Sequence, residues 1–231
     1  MKRIVLMMAL CGQPFCGSSA AFQNLGFDNA NTNNVTCFNF PFLPPICHGP
    51  SDELLPGWQL FNGNVEFPFI GFNSQPSGLG VASIYAFRPN SEIIGLYSLG
   101  LFPGNDLMTQ LYIPQILVQV GDVPAEAKSI RFFNFGSPFE LRVNNNIVPL
   151  SNTFPPDPSL PGANVAGDIS AYAGMTVELK FITIKIPLQS VNEIDSIGFS
   201  TESVPEPGAS LLLGAGLLVI IGTKWLRRIR K

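Results

Sequence analysis

Short alternating runs of apolar and polar residues set the pattern of this chain. In residues 175–183 (MTVELKFIT), Val177, Leu179 and Phe181 fall on one face and Glu178, Lys180 and Ile182 on the other, the period of two that marks a half-buried strand. Residues 113–120 (IPQILVQV), 129–134 (SIRFFN), 139–143 (FELRV) and 194–200 (IDSIGFS) have the length and the β-branched or aromatic content of further strands. Turn formers lie between them. Asn144, Asn145 and Asn146, set between FELRV and IVPL, predict a hairpin, because asparagine tolerates the positive φ of a tight turn. The proline-rich stretches 151–164 (SNTFPPDPSLPGAN) and 38–50 (FNFPFLPPICHGP) read as surface loops. No long apolar run at helical spacing occurs before residue 208, so the pattern predicts an all-β sandwich with one face of each sheet turned inward.

Both ends depart from this pattern. Lys2 and Arg3 precede the apolar residues 4–10, and Ser19, Ala20 and Ala21 offer a small-residue cleavage point before Phe22. Residues 1–21 therefore read as a signal peptide for the export and signal-peptidase machinery, and Cys11 and Cys16 leave with it. At the other end, residues 208–223 carry no charge and are followed by Lys224, Arg227, Arg228, Arg230 and Lys231. As a helix, residues 208–226 would extend about 28 Å, close to the hydrocarbon thickness of a bilayer. The five cations should stay cytoplasmic, which puts residues 22–203 on the far side of the inner membrane.

The order of features in residues 204–231 resembles the PEP-CTERM sorting signal of bacterial surface proteins: Val204, Pro205, Glu206 and Pro207, then a short apolar helix, then an arginine-rich end. The resemblance implies an exosortase as partner, which recognises and cuts the tail, and a route from the inner membrane to the cell surface or extracellular matrix. A plain tail anchor is the rival reading, but it needs neither proline. A second resemblance runs through the domain. Residues 22–28 (FQNLGFD), 54–64 (LLPGWQLFNGN), 167–181 (GDISAYAGMTVELKF) and 194–199 (IDSIGF) are similar, in order and spacing, to galactose-binding-like jelly rolls. It implies a jelly-roll β-sandwich over residues 22–203, with the last strand beside the first and a structural calcium between them. The matching carboxylates are Asp28 and Asp195; the alternative is two solvated strand-end acids. Within the same motifs, Asp168 is suited to cap a turn that Gly174 ends, and Trp58 to plug the core rather than stack on a sugar.

Charge and chemistry narrow the function. The chain has 13 Lys and Arg against 16 Asp and Glu. The two ends hold seven of the cations and one acid, so residues 22–203 carry six cations against fifteen anions, a net charge of −9. A domain so poor in cations is unsuited to nucleic acid. Cys37 and Cys47 close a short proline-restricted loop in an oxidising compartment, which predicts a disulfide; metal binding with the neighbouring His48 is the rival. The chain contains no Gly-x-Ser-x-Gly, no His-Glu-x-x-His and no phosphate-binding glycine loop after a strand, and His48 is its sole histidine. The expectation is a protein that is not an enzyme. Two roles compete: a structural protein of an extracellular polysaccharide layer, or a carbohydrate-binding module at the cell surface. The second needs open aromatic faces, for which Tyr85, Tyr97 and Tyr112 are the candidates.

Overall fold

The computed structural model describes residues 20–39, 41, 45–73, 82–86, 95–105, 112–152, 163–184 and 192–204. The expected loop 151–164 therefore lies largely outside the described residues, as do residues 1–19 of the signal peptide and 205–231 of the tail. In chain order the elements are β1 (Thr36–Phe38), β2 (Ile46–Pro50), the one-turn helix α1 (Ser51–Leu54), β3 (Gln59–Asn62), β4 (Val65–Glu66), β5 (Phe69–Phe72), β6 (Ala82–Ala86), β7 (Tyr97–Leu101), β8 (Gly104–Asn105) and β9 (Tyr112–Ile113). There follow β10 (Gln115–Asp122), β11 (Ser129–Gly136), β12 (Phe139–Val143), β13 (Asn146–Val148), β14 (Leu150–Asn152), β15 (Ala163–Asp168), β16 (Thr176–Thr183) and β17 (Asn192–Ser200). A 3-10 turn, Ser170–Tyr172, joins β15 to β16.

Two sheets form a sandwich. The larger runs β1-β2-β5-β6-β7-β17-β11-β15-β14 and the smaller β13-β12-β16-β10-β3-β4, with β8 and β9 paired separately. Neighbours are antiparallel except β5 and β6, which run parallel. The core lies between the sheets, as period-two alternation requires. Phe181 of β16 is fully buried near its centre. Its ring lies edge-on to Phe132 of the larger sheet at 5.1 Å and to Phe139 at 6.3 Å, and tilted against Trp58 at 6.2 Å. Leu60, Leu117 and Leu141 of the smaller sheet, and Ile84, Leu99 and Ile130 of the larger, are also fully buried.

The runs expected as strands form β10, β11, β12, β16 and β17, each within two residues at either end. Asn144 and Asn145 adopt φ of 48° and 65°, and Asn146 already belongs to β13, so the hairpin turns on two asparagines rather than three. Two expectations need correction. Residues 38–50 are not a loop throughout: β1 ends at Phe38, and Ile46–Pro50 is a strand that pairs with both β1 and β5. The disulfide partners stand opposite each other in that ladder, which fixes the hairpin where the proline content suggested none. Nor do residues 22–28 form a first strand. Asn24 and Phe27 have positive φ, and the Phe27 N–H bonds to the Asn24 carbonyl in a turn. The segment crosses between the sheets instead: Ala21 bridges to Asp122 of β10, and Leu25 accepts the N–H of Ile197 in β17. Buried Gln119 stitches it in place, taking the Gln23 N–H at 2.9 Å and giving its amide hydrogens to the carbonyls of Gln23 and Gly57.

Candidate functional site

The outward face of the smaller sheet is a groove of about 350 Å³. Its composition follows from register. Arg142 stands opposite Ile147 on one side and Lys180 on the other; Lys180 then faces Val118, and Val118 faces Gln59. The adjoining row along the strands reads Glu140, Ile182, Ile116, Phe61 and Glu66. Phe61, Ile116, Val118 and Ile182 make an apolar floor, and Gln59, Asn64 and Asn145 edge it with amides.

Every cation in the groove is matched. Arg142 Nε lies 2.6 Å from Glu140, and Lys180 Nζ lies 2.7 Å from Glu178 and 3.0 Å from the Asn145 oxygen. The hairpin turn anchors one wall: the Asn144 side-chain oxygen accepts the Glu178 N–H, and the Asn144 N–H bonds to the Glu178 carbonyl. The site is thus a preformed, half-buried surface whose two cations are both paired. Alternation in residues 175–183 placed Glu178, Lys180 and Ile182 together, but the groove as a whole escaped the sequence reading. Its trace lies in residues 115–120 (QILVQV), where Gln115, Leu117 and Gln119 are buried between the sheets while Ile116 and Val118 line the groove, Val118 at its buried base, and Val120 is exposed, the reverse of an ordinary half-buried strand.

The residues singled out in the sequence occupy other places. Cys37 and Cys47 form a disulfide with an S–S distance of 2.02 Å. His48 lies between the rings of Phe38 at 5.3 Å and Phe69 at 5.7 Å. The Cys47 sulfur is committed to the bridge, and among the described residues no group of three His, Cys, Asp or Glu side chains is arranged to hold a metal. Asp28 is exposed and its Oδ1 accepts the N–H groups of Leu96 at 2.5 Å and Tyr97 at 3.2 Å. Asp195 is fully buried on the bulged part of β17, where its Oδ1 accepts the Ser196 N–H at 2.6 Å. The two acids named for calcium thus sit in different surroundings, Asp28 exposed and Asp195 buried.

The three tyrosines are packed rather than open. Tyr85 lies against Phe102 and Tyr97 against Phe72, and Tyr112 donates its hydroxyl to Thr183 Oγ1 at 2.8 Å. Burial pushes the Tyr112 phenol above the ordinary tyrosine range, against a smaller opposing effect of that hydrogen bond. Trp58 is buried, with its indole N–H on the Asn24 carbonyl at 3.1 Å. Asp168 accepts the Ser170 N–H at 2.9 Å, and hydrogen bonding from Ser170 holds its carboxyl below the usual aspartate range. Gly174 closes the turn at φ +73°.

The described chain ends four residues after β17, at Val204, so Pro205, Glu206, Pro207 and the basic residues of the tail lie outside it. Among the described residues no helix is long and apolar enough to cross a membrane. No curated protein matches the chain. A solved structure, the alpha-L-rhamnosidase from Dictyoglumus thermophilum, is 9% identical over 75% of this chain and 29% of its own, with a TM-score of 0.23; a likeness that slight carries no argument. The tail is different: residues 203–231 match the PEP-CTERM protein-sorting motif, the mark of an exported protein sorted by an exosortase.

Proposed function

We propose that the chain is a non-catalytic protein of the bacterial cell surface or extracellular matrix, a jelly-roll sandwich delivered through its tail. The observation that carries the reading is the sorting motif at residues 203–231, placed directly after the last strand of a folded β domain. A signal peptide over residues 1–21 starts export. A helix after Pro207 holds the precursor in the inner membrane, with Lys224, Arg227, Arg228, Arg230 and Lys231 on the cytoplasmic side. The exosortase then removes the helix, and the sandwich joins the polysaccharide layer outside.

Fractionation of cells with and without the exosortase tests this. Cells with it should release or relocate a product lacking residues 211–231, and cells without it should keep the full-length chain in the inner membrane. An identical full-length product in both would overturn the reading. The commitment of Asp28 to the amides of Leu96 and Tyr97 supports a domain whose fold needs no calcium. Melting curves in calcium and in chelator should superimpose.

A further inference from the structure

We propose that the groove on the smaller sheet binds a neutral polysaccharide chain, lying diagonally from the Asn145 turn to the Asn64 turn. This rests on the surface-matrix role above and names the contact by which the protein would hold that layer. Asn145 sits beyond β12, and Asn64 sits between β3 and β4 at the opposite end of the strands. Three strand spacings separate them across the sheet, roughly 14 Å, and about five residues along it, roughly 17 Å. That diagonal is long enough for a chain of several sugar rings and far exceeds what one ring needs.

The chemistry selects the ligand class. Arg142 and Lys180 are each paired with a carboxylate within 2.7 Å, so an anionic polymer would find no unpaired positive charge there and would be repelled by Glu140 and Glu178. A sugar hydroxyl can both give and accept hydrogen bonds, and it can join such pairs without breaking them. Gln59, Asn64 and Asn145 add side-chain amides, which offer donors and an acceptor on one group. The floor of Phe61, Ile116, Val118 and Ile182 suits the apolar C–H faces of sugar rings, and it explains why β10 turns its aliphatic residues outward. A peptide is a poorer occupant. Peptide recognition by strand addition needs a free sheet edge, and the groove lies on the face of central strands β16 and β10, whose backbones are already paired on both sides.

Full-length protein, purified in a detergent without sugar head groups, can be applied to an array bearing neutral glucan, mannan and galactan oligosaccharides beside uronic-acid and sulfated ones. Binding to one or more neutral chains is expected, stronger for longer oligomers. Phe61→Ala should weaken it at least about tenfold, a loss of roughly 1.4 kcal/mol. Gln59→Ala, a change at an exposed position, should weaken it without moving the melting temperature. Phe69→Ala, on the far sheet, should leave binding as it was. A blank array, binding confined to the anionic glycans, or binding by the Phe61→Ala and Gln59→Ala variants as strong as the wild type's would each overturn the assignment. The sorting reading fails separately, since fractionation reports location whether or not the groove binds.

Discussion

The two sheets use the same backbone to different ends. The smaller is regular: β16 alternates without interruption, its neighbours hold register, and its outward face collects a floor and a rim from four strands. The larger is irregular. It has a bulge where β17 passes β11, a parallel pair at β5 and β6, and a disulfide across the β1–β2 hairpin at one edge. Regularity brings side chains into rows on one surface, whereas bulges and bridges redirect strands and close edges. The proposed groove therefore lies on the regular sheet, and the devices that redirect and close strands lie on the other.

Substitutions should test this division, and Phe181→Ala is the most severe because it removes the ring on which both sheets meet. A loss of about 3–5 kcal/mol is expected in chemical denaturation, with both sheets melting together. A loss under 1 kcal/mol would mean the sheets are not coupled through that ring. Next in size, Cys37→Ser should cost about 2–3 kcal/mol and leave glycan binding by the folded protein intact, because the bridge lies on the larger sheet. Replacing Gln119 with Ala should cost about 1–3 kcal/mol, since the Gln23 amide and two carbonyls lose a buried partner. Hydrogen exchange should then rise first in residues 20–28; unchanged exchange there would show that the crossing segment is held by other contacts.

The smallest effect is on pH. The hydrogen-bonded Asp168 contributes stability above the ordinary aspartate range, lost as pH falls through its lowered folded value; solvent screening at this exposed turn keeps the effect small. Tyr112 behaves in the opposite sense. Its contribution is complete below the ordinary tyrosine range and is lost as pH climbs through its raised folded value. Asp168→Asn should flatten the acid limb of the melting profile and Tyr112→Phe the alkaline limb, each with a slightly lower plateau between them, where the contribution it removes was fully present. If either limb keeps its slope, another group controls it.

Local chemistry was legible in the sequence, and adjacency was not. Alternation in residues 175–183 located β16, β-branched and aromatic content in residues 139–143 located β12, and consecutive asparagines located the turn between β12 and β13, because those signals lie within a few residues of each other. Pairing of Cys37 with Cys47 was legible for the same reason. The groove depends on Phe61, Val118, Arg142 and Lys180 meeting across four strands, a relation set by register alone. Residues 22–28 misled because a strand there was implied only by the resemblance of the motifs, while Asn24 and Phe27 take positive φ and turn the segment to cross between the sheets.

The position of β17 carries a mechanical consequence. It is an interior strand, flanked by β7 and β11, and the sorting tail leaves from its end. β11 runs beside it as far as Ser200, whereas β7 pairs only with Asn192–Ile194, so tension applied through the tail would fall first on the β11 ladder and reach the β7 ladder only at the far end of the strand.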